Sequence, residues 1–130
     1  MADLPRLLLI DDEPALADFM AAAARMTGFA PTVAADQNSF VQAFGDAEPQ
    51  VVVLDLGMPN TDGVEFLRYL AEHSFSGPVL IVSGFDRRVL ESAFRLGTEL
   101  GLQMAGPLEK PVRLDDLEAL LTSLNPGRRR

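Results

Sequence analysis

The sequence predicts an α/β protein, a doubly wound parallel sheet of five strands with helices on both faces. Two observations carry that expectation. Short apolar runs rich in branched residues alternate with longer stretches whose apolar residues recur at helical spacing, the pattern of strands that feed crossover helices. Two of those runs, 51–54 and 79–82, are apolar at every position. A strand with no polar face must be covered on both sides, which a parallel sheet achieves with helices above and below.

The elements follow in order. The first strand, 6–10, ends on Asp11 and Asp12, and the helix after it, 14–26, opens on Pro14 and stops at Gly28. Proline suits the first helical position, where its missing N–H would have no partner anyway, and glycine suits the residue after a helix. Strand 30–34 leads to helix 37–44, and strand 51–54 leads through Asp55 to helix 64–72. Strand 79–82 ends on Ser83, and helix 87–100 starts behind Asp86, whose short acceptor side chain suits an N-cap. The last strand, 102–105, runs towards Lys110, and helix 114–124 carries Asp115 and Asp116 at its positive end. Phe19, Met20, Met26, Phe40, Phe44, Phe66 and Phe94 fall at helical spacing and read as core filling, not as a cofactor box.

Composition narrows the function classes. A chain of 130 residues, 48% hydrophobic, suffices for one domain with a real core. Residues 1–124 are expected to form it. Residues 125–130, with Arg128, Arg129 and Arg130 behind Asn125, Pro126 and Gly127, read as a basic C-terminal tail or the start of a linker. The absence of cysteine excludes disulfides, thiolate nucleophiles and cysteine-ligated metals, and suits the cytosol. No apolar stretch approaches the roughly 18–20 residues of a membrane span, so a cytoplasmic protein without membrane attachment is expected. Nineteen acidic against 11 basic residues give a net charge of −8, a field that disfavours direct nucleic-acid binding.

In an open parallel sheet, ligands bind beyond the carboxyl ends of the strands. The residues falling there are Asp11 and Asp12, Asp55, Ser83 and, near the fifth strand, Lys110. Two unit charges about 4 Å apart repel by about 4 kcal/mol at an effective dielectric near 20, so clustered carboxylates require a cation or a shared proton. Oxygen-only ligands without a nearby histidine point to Mg²⁺. A neutralised carboxylate facing an open position suits phosphoryl transfer. Taken singly, each residue has an ordinary reading: Asp11 and Asp12 as a helix cap before Pro14, Asp55 as a turn, Ser83 as the start of an ST-turn. Lys110 says more, because it is the only lysine among the 11 basic residues, every other basic position being arginine. A compact ammonium was required there. His73, the sole histidine, falls near a helix C-terminus, where a positive ring is favoured, and is assigned no chemistry.

These residues resemble the response-regulator receiver domains of two-component signalling, from Leu7 to about Leu124. The most specific stretch is Asp55, Leu56, Gly57, Met58, Pro59, Asn60, Thr61, Asp62, Gly63, Val64 and Glu65, which looks like that family's phosphoacceptor loop. Asp11, Asp12 and Glu13 after Leu9 and Ile10, Ser83 and Gly84 after Val82, and the pair Lys110 and Pro111 match as well. The resemblance implies a flavodoxin-like, chemotaxis-regulator-like sheet of order 2-1-3-4-5. It makes Asp55 the phosphoacceptor, with Ser83 and Lys110 bonding phosphoryl oxygens. Mg²⁺, or Mn²⁺, would be held by Asp12, Asp55 and the Gly57 carbonyl, with Asp11 acting through water. The Lys110–Pro111 peptide would be cis. Gly84 leaves room beside the phosphoryl site, and Phe85 is either a gate against water or a packing aromatic.

By the same resemblance, the donor is a sensor histidine kinase or a histidine phosphotransfer protein. The chain would catalyse its own phosphorylation and slow self-dephosphorylation rather than act as a conventional enzyme. Output would pass to a partner protein or a C-terminal output domain, with a homodimer through the fourth helix, fifth strand and fifth helix. Two departures stand out. The family's aromatic switch position, three residues before the lysine, is Pro107 here, and proline cannot swing as a rotamer. The stretch from Ser83 to Lys110 is also a few residues longer than usual, which suggests an extended fourth helix or loop. Its residues 83–90 and 101–104 are similar to receivers fused to cyclic-di-GMP phosphodiesterase domains.

Other classes fit less well. A haloacid-dehalogenase-like phosphatase wants a second aspartate two positions after the nucleophile, where this chain has Gly57. A flavin or nucleotide carrier wants a phosphate-binding loop after the first strand, where Asp11, Asp12 and Glu13 are electrostatically wrong for phosphate without a metal. A serine hydrolase wants a nucleophile elbow, which surrounds no serine of this sequence, and the sole histidine falls on a predicted helix. The remaining rival is a receiver fold used for docking alone, without phosphorylation; Asp55, Ser83 and Lys110 argue against it, and Pro107 for it.

Overall fold

A computed structural model describes residues 4–57, 63–84 and 87–127. Met58 to Asp62 of the loop after Asp55, Phe85, the expected cap Asp86, and Arg128 to Arg130 lie outside the described residues.

Five strands and five helices alternate along the chain: β1 (Arg6–Ile10), α1 (Pro14–Met26), β2 (Ala30–Ala34), α2 (Gln37–Ala47), β3 (Val51–Asp55), α3 (Gly63–Glu72), β4 (Pro78–Ser83), α4 (Arg87–Glu99), β5 (Gln103–Glu109) and α5 (Leu114–Leu124). All strand pairs are parallel, in the order β2-β1-β3-β4-β5. This is the expected architecture. Alternate residues of the central strands feed two separate cores. Leu8, Ile10, Val52, Leu54, Val79 and Ile81 pack with Phe40, Phe66, Leu67, Leu70 and Leu90 of α2, α3 and α4. Leu7, Leu9, Val51, Val53, Leu80 and Val82 pack with Ala17, Met20, Ala24, Leu117 and Leu121 of α1 and α5. Each fully buried aliphatic side chain contributes about 1.5–3 kcal/mol, so continuous apolar strands between two helical layers drive the fold.

Local signals place the ends. Pro14 opens α1, and Asp36 with Ser39 closes a capping box on α2. At the close of α1, the Phe29 N–H donates to Ala24 O across Gly28, which has φ +91°. The same geometry ends α4, where the Leu102 N–H donates to Gly97 O across Gly101 at φ +90°. After α3 the left-handed position falls on Ser74, at φ 54°. These turns satisfy helix-end carbonyls and tuck the next apolar residue inward.

Several element boundaries differ from those the sequence suggests. α2 runs three residues beyond Phe44, because Gly45 lies on an open face where a missing side chain costs only about 1 kcal/mol. Arg6 Nε then caps that end on Ala47 O and Glu48 O, at 2.6 and 3.1 Å. α3 begins at Gly63, α4 ends at Glu99, β3 extends to Asp55, and β4 spans Pro78–Ser83. β5 starts after Leu102, which is the buried residue of the α4 end turn, and continues to Glu109. Within β5, Gly106 and Pro107 stand opposite Ile81 alone, since Leu80 pairs with Ala105 and Val82 with Leu108. One extra residue is therefore accommodated in a bulge on an edge strand, where a residue without an N–H is tolerated. Met26, expected in the core, is 66% exposed. The buried face of α1 runs through Ala17, Met20 and Ala24 to Thr27, and Met26 points away from it.

Asn125 is buried. Its Nδ2 donates to Thr27 O and its Oδ1 accepts from the Gly127 N–H, each at 2.8 Å, so the chain after α5 is pinned to the end of α1. No helix among the described residues is long and apolar enough to cross a membrane.

Candidate functional site

Parallel pairing places the carboxyl ends of β1, β3, β4 and β5 at one edge, and the chemistry-bearing residues lie there. Asp11 is tied to the edge by its N–H, which donates to Ala34 O at 3.1 Å, and its carboxyl turns inward. Asp55 closes β3 between β1 and β4, so it is walled on both sides. Their relative exposures are 2% and 3%, while Asp12 is exposed. Carboxylate oxygens of Asp11, Asp12 and Asp55 all lie within 4.8 Å of one another.

Each Asp55 oxygen has a partner. Oδ1 accepts from the Gly57 N–H at 2.8 Å, and Oδ2 accepts from Lys110 Nζ at 3.0 Å. Lys110 reaches it because its own N–H donates to Ser83 O at 2.9 Å, which fixes the end of β5 beside β4. Ser83 is fully buried at this junction, and Gly84 follows against the lysine stem. The peptide bonds before Pro107 and Pro111 are both cis. Pro107 lies in the β5 bulge and lines a groove against Phe94 of α4, away from the acids.

Asp11 is less well provided for. Oδ1 accepts from the Glu13 N–H at 2.9 Å, but Oδ2 is buried without a hydrogen-bond partner among the described residues. Burial, chiefly, and the Asp55 charge beside it push its pKa from 3.8 to about 6, although the Glu13 N–H and Lys110 pull the other way. Three carboxylates against one ammonium leave a formal charge of −2, and the orphaned oxygen faces a group that would itself repel it. An all-oxygen donor set with that excess fits a hard divalent cation.

The structure thus brings together Asp11, Asp12, Asp55, Gly57, Ser83, Gly84 and Lys110. Phe85 falls outside the described residues, and Pro107 stands apart. Sequence reasoning missed the Glu13 N–H that orients Asp11; the signal was the Asp-x-x spacing of an Asx-turn before Pro14. It also gave Gly57 only a carbonyl role, whereas its N–H holds Asp55. A cavity of about 550 Å³ opens beside the lysine, lined by Leu16 and Phe19 of α1 and by Pro111 and Val112.

Residues 7–122 match the family model described as the response regulator receiver domain. Among curated proteins, the chain is 34% identical to the transcriptional regulatory protein TrcR of Mycobacterium tuberculosis, covering 92% of this chain and 44% of that one. It is 28% identical to the regulatory protein AtoC of Escherichia coli, covering 93% and 25%. The chain spans less than half the length of these relatives. Among solved structures, the receiver domain of the Francisella response regulator 1452 superposes with TM-score 0.75 at 27% identity, over 92% of this chain and 95% of that one. The Vibrio cholerae chemotaxis protein CheY4 gives 0.77 at 20% identity, over 93% and 98%, a likeness of fold.

Proposed function

The chain belongs to the response regulator receiver domain family, and from that premise we propose that Asp55 is its phosphoacceptor. The observation carrying this reading is the setting of Asp55: a buried carboxylate held by the Gly57 N–H and Lys110 Nζ, with two further carboxylates within 4.8 Å. An Asp55 oxygen attacks phosphorus in line, the P–N bond of a donor phosphohistidine breaks, and the electron pair returns to the imidazole nitrogen. Lys110 and Ser83 then bond the phosphoryl oxygens that arrive beside them. Attack of water on phosphorus later restores the carboxylate and releases phosphate.

Asp12 and Asp55, with the Gly57 carbonyl and with Asp11 through water, are the groups that would hold Mg²⁺, or Mn²⁺. The cation would supply neutralisation of the clustered charge and of the incoming phosphoryl group. Donor and output partners are those of two-component signalling: a sensor histidine kinase or phosphotransfer protein in the cytoplasm, and an output domain or separate partner reached through the α4, β5 and α5 face, where a homodimer would also form. Residues 1–124 constitute the receiver unit in this reading, and Asn125 ties the segment that follows α5 to the end of α1.

Incubation with Mg²⁺ and acetyl phosphate tests the proposal by intact mass. Wild type should gain one base-labile phosphoryl group and Asp55→Asn none. Equal labelling of both, or of neither, overturns it, and the second result would leave a docking module.

A further inference from the structure

Gly84 lies against the stem of Lys110. A Cβ built on Gly84 would stand 3.3 Å from both Cβ and Cδ of Lys110 and 3.8 Å from its Cγ. Carbon atoms in good contact sit about 3.5–4.0 Å apart, so any side chain at 84 presses on the stem. The stem cannot yield at its root. Lys110 is pinned there by its N–H bond to Ser83 O and by the ring of Pro111 that follows. Displacement must then pass outward through Cδ to Nζ, two bonds away, and Nζ holds Asp55 Oδ2 at 3.0 Å, near the centre of the hydrogen-bond range.

We propose that Gly84 is a positioning residue whose bare Cα forms the wall along which the Lys110 stem lies, setting the reach of Nζ to Asp55 and to a phosphoryl group on it. The part concerning the phosphoryl group rests on the phosphoacceptor reading; the part concerning Asp55 does not. A different role for Gly84, as open space through which donor or water approaches, makes a different prediction, because it does not act through the lysine.

The test combines Gly84→Ala with Lys110→Ala in the whole chain. A shift of a few tenths of an ångström at the ammonium should slow phosphorylation from acetyl phosphate about 3- to 10-fold in Gly84→Ala, less than the roughly 100-fold typical of misplacements near 1 Å. In the Lys110→Ala background the same change should cost less than about twofold, since coupled sites fail to add. An equal cost in both backgrounds overturns the proposal. Independently of phosphorylation, the ¹⁵Nζ resonance of Lys110 should respond to Asp55→Asn in the wild type and respond measurably less in Gly84→Ala; an unchanged response overturns it. If no variant takes up phosphate, the phosphoacceptor reading falls and the resonance still decides the positioning role. Gly84→Ser, which adds the same Cβ on an exposed backbone, provides a second variant should alanine impair folding.

Discussion

Asp11→Asn should stabilise the metal-free protein while weakening its response to Mg²⁺. In the wild type Asp11 is 2% exposed, one carboxylate oxygen has no partner among the described residues, and burial with the neighbouring Asp55 raises its pKa to about 6 from 3.8. A group whose pKa is raised on folding contributes its stability below the unfolded value and loses it as pH climbs through the folded one. Between pH 3.8 and about 6 the folded protein therefore becomes progressively less stable from this source, and at neutral pH it bears the full cost of a buried charge. Each pKa unit corresponds to about 1.4 kcal/mol, a ceiling of about 3 kcal/mol. Screening at the open mouth of the site brings that to about 1–2 kcal/mol. Asparagine keeps an acceptor for the Glu13 N–H and turns a donor towards Asp55 in place of the orphaned oxygen. For a chain of this length, about 1–2 kcal/mol shifts Tm by about 4–8 °C. Calorimetry in EDTA at neutral pH should show that increase, shrinking towards pH 5, while millimolar MgCl₂ should raise Tm of the wild type far more than that of the variant. A lower Tm for Asp11→Asn in EDTA, or an equal response to MgCl₂, would refute the reasoning.

Other substitutions separate chemistry from architecture. Asp12→Asn, at an exposed position, should leave the unfolding free energy in EDTA within about 0.5 kcal/mol of wild type but weaken Mg²⁺ binding at least tenfold by titration calorimetry. Lys110→Ala should retain Mg²⁺ binding and reduce affinity for beryllofluoride, measured by fluorine NMR, because Asp55 loses its charged partner. Asn125→Ala should cost about 1–3 kcal/mol in urea denaturation, since Thr27 O and the Gly127 N–H are left without their side-chain partner. Gly28→Ala should cost more than about 1 kcal/mol by the same assay, as φ +91° is strained for alanine and its Cβ would meet Asn125 Nδ2 at 2.9 Å.

The apolar runs of β1, β3 and β4 were sufficient to read a covered parallel sheet, because a strand buried on both faces writes its environment into consecutive residues. The carboxyl ends of those strands then located Asp11, Asp12, Asp55 and Ser83 without any coordinates, since strand direction alone puts them on one edge. Lys110 was legible through its singularity among arginines. Relations between distant segments carried no such mark. Nothing local in Asn125, Pro126 and Gly127 distinguishes a tail from a buried anchor, because Thr27 O, the group that Asn125 satisfies, is 98 residues away. The bulge at Gly106 and Pro107 arises from pairing with β4, and its effect on register appears only when the two strands are side by side. The orphaned oxygen of Asp11 and the contact between Gly84 and the Lys110 stem are likewise matters of ångströms between chain segments. Sequence thus determined the sheet, its order by family likeness, and the identity of the acids at its edge; tertiary packing decided their burial, their partners and the reach of the lysine, because desolvation and hydrogen-bond geometry depend on what surrounds a group, which periodicity does not record.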